Sequence, residues 1–107
     1  MTPNLKYILR PDGIAVPEQN LSVWLNWFET ADRCIRQEVI GEVLISTVFL
    51  GLDHNFSDHG PPLLFETMIF GGPHDQKTWR YPTQAEALEA HLKIIELVTG
   101  PQIDVRD

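Results

Sequence analysis

The chain has 107 residues, 43% hydrophobic and 21% charged, ordinary proportions for one globular domain and too little chain for two. Eight Lys and Arg against fifteen Asp and Glu give a net charge of −7, which argues against a nucleic-acid partner, since phosphate backbones are held by clustered cations. The single cysteine, Cys34, excludes an intrachain disulfide framework and a Cys-rich zinc site, and no apolar run approaches the roughly 20 residues of a membrane span.

The first residues lack a cationic region leading into a long apolar stretch, so no secretory signal is expected. With the lone cysteine, this points to the cytoplasm. Leu5 to Leu9 is a short apolar run, and Arg10-Pro11-Asp12-Gly13 is a strong turn signal. Ile14 to Val16 then returns as the second strand of a hairpin.

From Leu21 the period becomes helical. Leu21, Trp24, Leu25, Phe28, Ala31 and Ile35 recur at spacings of three and four, which predicts a helix over 21–35. Asn20 or Ser22 can cap it, Trp27 lies at the edge of its apolar stripe, and Cys34 falls near its C-terminus. There the helix dipole disfavours a thiolate, so an inert thiol is expected.

Val43 to Leu50 and Leu63 to Phe70 are β-branched and aromatic runs that read as central strands. Between them Gly51 to Pro62 makes a twelve-residue connection, at the length where loops tend to carry function. Asp53 is expected to order it by accepting backbone N–H groups, with Phe56 docked on the sheet edge. Gly71 to Asp75 is another turn, and Lys77 to Tyr81 predicts an edge strand with Trp79 facing inward. Thr83 and Glu86 have capping-box spacing at the start of a last helix over 83–98. Leu88, His91, Leu92, Ile95 and Val98 mark its expected buried face, Gly100-Pro101 stops it, and the tail at 102–107 is expected to be loose.

The predicted order is β-β-α-β-β-β-α. Consecutive strands joined by turns give an α+β fold: a two-layer antiparallel sheet of about four or five strands with two helices packed on one face. One domain, 1–107, is expected. Trp24, Phe28, Leu88, Leu92 and Ile95 form its predicted core.

The block from Ser46 to His54, together with Gly60-Pro61-Pro62-Leu63-Leu64-Phe65-Glu66-Thr67-Met68, resembles a family of small phage and bacterial proteins. Trp27 to Arg33 before it and Gly71-Gly72 after it extend the likeness over about Trp24 to His91. The resemblance implies a cytoplasmic context and a phage or prophage origin, and it carries no catalytic role to any position.

Asp53, His54, Asp58 and His59 lie in the long connection, and Glu66 follows on the next strand. Carboxylates and imidazoles are the ligands a Zn, Mn or Mg site draws on. No H-E-x-x-H or comparable spacing is present, and Glu66 falls about 10 Å inside the strand end. His74 and Asp75 follow the opposite end. There is no phosphate-binding glycine loop and no nucleophile elbow. The reading that follows is a non-enzymatic accessory or inhibitor protein with no cofactor, no metal and no membrane partner. It would bind another protein through residues 51–62 and their acidic surroundings, with Asp53, His54, Asp58, His59 and Glu66 as the contact groups. The alternative is a small metal-dependent hydrolase or nuclease using Asp53, His54 and Glu66.

Overall fold

The computed structural model describes residues 5–100, so the tail expected to be loose at 102–107 lies outside the described residues. Strands β1 (Tyr7–Leu9) and β2 (Ala15–Pro17) pair antiparallel as the predicted hairpin. Its turn closes on itself: Gly13 N–H donates to the Arg10 carbonyl, and Asp12 accepts from Ile14 N–H.

Helix α1 (Leu21–Thr30) starts where Asn20 accepts the Val23 N–H, and it ends five residues before the periodicity predicts. Ala31 is already extended, and Asp32 takes the Cys34 N–H, turning the chain out of the helix. The next segment is an additional strand, β3 (Cys34–Ile40), joined by a two-residue turn to β4 (Val43–Phe49). Ile35 falls four residues after Ala31, which mimics helical spacing. The alternation of Arg36, Glu38 and Ile40 on one side and Gln37 and Val39 on the other is a strand period, and cross-strand pairing with β4 decides the competition. Cys34 therefore stands exposed at a strand start rather than at a helix end.

Strands β5 (Phe65–Phe70) and β6 (Thr78–Tyr81) complete a four-stranded antiparallel sheet in the order β3-β4-β5-β6. With the separate hairpin, this makes an α+β fold of two helices and two antiparallel sheets. Helix α2 (Gln84–Thr99) begins at Thr83, whose hydroxyl accepts the Glu86 N–H as the capping-box spacing predicts.

Alternation along the two central strands sends Ile45, Thr47 and Phe49 of β4, and Phe65, Thr67 and Ile69 of β5, to one face, all fully buried. Helix α2 lies over that face, in contact with all four strands, and buries Ala87, His91 and Ile94. Its inward stripe is thus rotated from the predicted one. Leu88 and Ile95 are half-buried flanks, and Leu92 is 51% exposed. Ala87 explains the rotation: its small side chain lets the helix close onto Phe49 and Phe65, which a leucine in that place would prevent.

Helix α1 has its main contacts with β1 and reaches the buried face through Trp27, whose ring meets Phe49 edge-on at 5.6 Å. Trp24 is buried as predicted, while Phe28 is half-buried beside it. No helix among the described residues is long and apolar enough to cross a membrane.

Candidate functional site

The 51–62 connection begins at a fixed point. Gly51 has a positive φ of +79°, and the Phe28 ring lies 2.9 Å from where a Cβ would stand, so only glycine fits. The Trp24 indole N–H lies within hydrogen-bond distance of both the Tyr7 carbonyl (3.0 Å) and the Gly51 carbonyl (3.2 Å), tying α1 to β1 and to the start of the loop. Tyr7 N–H donates to Gly51, Asp53 N–H to Leu5, and His54 N–H to Leu63. The base of the loop is therefore sewn to β1 on one side and to its own exit on the other.

Within the loop, short polar side chains satisfy the backbone. Asp53 Oδ1 accepts from the N–H groups of Asn55 (2.7 Å) and Leu63 (3.0 Å), the role its sequence context predicts. Asn55 Nδ2 donates to the His59 and Pro61 carbonyls, both at 2.8 Å, and its Oδ1 accepts from Ser57 N–H. The Ser57 hydroxyl accepts from His59 N–H. His54 Nδ1 is 2.9 Å from the Leu52 carbonyl. Held this way, the loop turns Phe56 outward, where it is 85% exposed instead of docked on the sheet edge. The Phe56 ring lies 5.8 Å from the His54 ring, and Asp58 and His59 are exposed beside it.

Asp53, His54, Asp58 and His59 thus share one loop, and Glu66 does not join them. Glu66 lies on the sheet face away from α2, paired to Arg80 at 2.9 Å. Asp75 accepts the Gly71 N–H in a separate turn. Among the described residues, no group of three or more His, Cys, Asp or Glu could hold a metal ion. The Cys34 thiol is pushed up in pKa by partial desolvation and next by the nearby Asp32 carboxylate, which disfavours the thiolate.

Two further features did not stand out in the sequence. The first is a buried polar chain beneath α2. Thr67 and Thr47 face each other across β5 and β4 with hydroxyls 2.5 Å apart, and Thr47 lies 2.6 Å from His91 Nδ1. Among the described residues, His91 Nε2 is buried without a hydrogen-bond partner; the Glu38 carboxylate is 3.9 Å away and already bonded by Arg36 at 2.5 Å. Burial, and next the Arg36 charge, lower the His91 pKa, with Glu38 opposing them. Thr67 in β5 and the Ser46-Thr47 pair in β4 are the available signal, but choosing Thr47 and joining it to Thr67 requires the register. The chain resembles a nucleophile, base and carboxylate series, yet both threonines and the imidazole are wholly enclosed, so no substrate reaches them.

The second is a cleft of about 500 Å³ between the β1–β2 hairpin and the start of α2, lined by Tyr7, Ile14, Pro61, Pro62, Phe65 and Thr83. Its lining is mostly apolar, with Thr83 and Gln84 as polar members, and includes the two prolines at the loop exit. No protein-family model, no curated protein and no solved structure matches this chain.

Proposed function

We propose that the protein is a non-enzymatic accessory or inhibitor that binds another protein through the 51–62 loop, in the phage or prophage and cytoplasmic setting its resemblance implies. The observation that carries this reading is Phe56, 85% exposed at the tip of a loop ordered by its own hydrogen bonds. Large aromatic groups dominate interface energetics, and a loop ordered before binding loses little entropy when it docks. Asp58 stands next to Phe56 within a chain of net charge −7, so the partner surface is an apolar pocket with a cationic rim. The metal-hydrolase alternative is less supported, because the described residues hold no group of three or more candidate ligands. Asp53 is committed to two backbone N–H groups, and Glu66 faces Arg80 on the sheet.

Phe56→Ala tests the proposal. A surface truncation of this kind should change stability by less than about 0.5 kcal/mol. It should also abolish capture of whatever host or phage protein the wild type enriches and cross-links through this loop. Undiminished capture of the same protein by Phe56→Ala would overturn the assignment of the surface.

A further inference from the structure

The buried chain beneath α2 crosses the sheet and ends on each side in an unsatisfied polar atom. One is His91 Nε2 and the other is the Tyr81 hydroxyl of β6, both buried without a hydrogen-bond partner among the described residues. Thr47 and Thr67 stand between them. Burial raises the Tyr81 pKa and Thr67, the smaller influence, lowers it, so Thr67 stands beside that hydroxyl without closing a bond to it.

Each strand brings a group to this cluster: β4 brings Thr47, β5 Thr67 and β6 Tyr81, while β3 brings Arg36 and Glu38, on the same face as Thr47 by register. Arg36 and Glu38 are the charged groups that act on the ring. Glu66 and Arg80 pair on the far face of the sheet, and Glu89 and Lys93 pair on the exposed side of α2. Glu38 lies 3.9 Å from Nε2 and is bonded by Arg36 at 2.5 Å. Its side chain is 31% exposed, so it joins the enclosed ring to solvent.

We propose that this cluster is a pH-sensitive switch in which Glu38 has two partners: Arg36 while His91 is neutral, and His91 once its ring takes up a proton. The chemistry of the ring requires the exchange. A neutral imidazole has one N–H and one acceptor nitrogen, whereas an imidazolium donates from both. Nδ1 then donates to Thr47, and Thr47 turns its own hydroxyl proton to Thr67. Thr67 in turn can donate to the Tyr81 oxygen. Nε2–H needs an acceptor, and Glu38 is the carboxylate in reach. A shift of about 1 Å closes the gap to a charge-assisted bond.

Exposure decides which partner Glu38 keeps. The Arg36 side chain is 39% exposed, so water replaces its carboxylate at little cost. A wholly buried imidazolium left unpaired is far more costly. Glu38 therefore follows the charge on the ring. Acid ties α2 to β3 by an ion pair absent at neutral pH and frees Arg36 at the sheet edge. The switch is separate from the Phe56 loop and does not depend on its role.

Nitrogen-15 NMR of the His91 ring and of the Arg36 Nε–H, followed from about pH 8 to about pH 4, tests the proposal. In the wild type the Arg36 Nε–H should shift and exchange faster with the same midpoint as the ring. Glu38→Gln should lower the His91 midpoint further, and Arg36→Gln should raise it. Both positions are at the rim, so far-UV circular dichroism at neutral pH should be unchanged. Should either variant fail to fold, the wild-type titration alone decides, because a merely structural ion pair would leave Arg36 indifferent to the charge on His91. An Arg36 signal that holds through the His91 transition would overturn the proposal. So would a His91 midpoint that neither folded variant moves, or a ring that stays neutral until the protein unfolds.

Discussion

The 51–62 loop and the buried chain under α2 use similar side chains to opposite ends. In the loop, Asp53, Asn55 and Ser57 bond the backbone, leaving Phe56, Asp58 and His59 to solvent. Under the helix, Thr47, Thr67 and His91 bond one another, and His91 Nε2, which takes no hydrogen bond among the described residues, is enclosed with them. The second arrangement has the perturbed histidine and the shape of a catalytic series, yet only the first is accessible. Perturbed titration marks a site only when the group can be reached.

The sharpest way to break this contrast is at the anchor that holds the loop in place. Trp24 is buried against Phe28 and reaches the Tyr7 and Gly51 carbonyls with its indole N–H. Trp24→Ala should cost about 3–5 kcal/mol by chemical denaturation. Hydrogen exchange should then rise in the loop before it rises under α2. Equal exposure of both regions would show that the loop has no separate anchor.

Much of this arrangement was legible in advance, and the misses have physical causes. Turn chemistry marked the Arg10 to Gly13 hairpin, and side-chain oxygens marked the Asn20 and Thr83 caps, because those signals are local. The periodicity carries α1 too far because Ile35 fits both a helical and a strand period, and only pairing with β4 separates them. Periodicity puts Leu92 inward because it cannot fix the rotation of a helix to within one residue, and here small Ala87 is what faces the sheet. In the loop, the role of Asp53 follows from its neighbours, whereas the outward turn of Phe56 accompanies non-local bonds from Asn55 to the His59 and Pro61 carbonyls that local spacing does not reveal. The His91 chain was hidden because its members come from three elements.

A smaller effect separates what the loop needs of Asp53 from what a metal site would need. Asp53→Ala leaves the Asn55 and Leu63 N–H groups without their acceptor and should cost about 1–3 kcal/mol. Asp53→Asn keeps a carbonyl oxygen in the same place and should cost less than about 1 kcal/mol. A metal ligand would show no such split, because loss of the charge would harm both variants alike. Thermal denaturation of the two variants side by side makes the comparison.

The smallest expected effect tests the buried side. His91 is wholly enclosed; burial first, then Arg36, hold its pKa below the ordinary value of 6.5, against the opposing pull of Glu38. Because the folded pKa is the lower one, the unfolded chain takes up the proton first as pH falls. Stability tied to the neutral ring is therefore fully present above about pH 6.5 and is lost progressively as pH falls towards the folded pKa. His91→Gln removes the titration while its amide can still bond Thr47. The wild type should then lose more Tm than His91→Gln between about pH 7.5 and 5.5, and the two should differ by a constant amount above that range. Parallel losses across the whole range would mean that the ring is protonated in the fold as readily as outside it. Glu38, 3.9 Å from Nε2, would then be its true partner, and the chain beneath α2 would be an open proton site rather than a closed one.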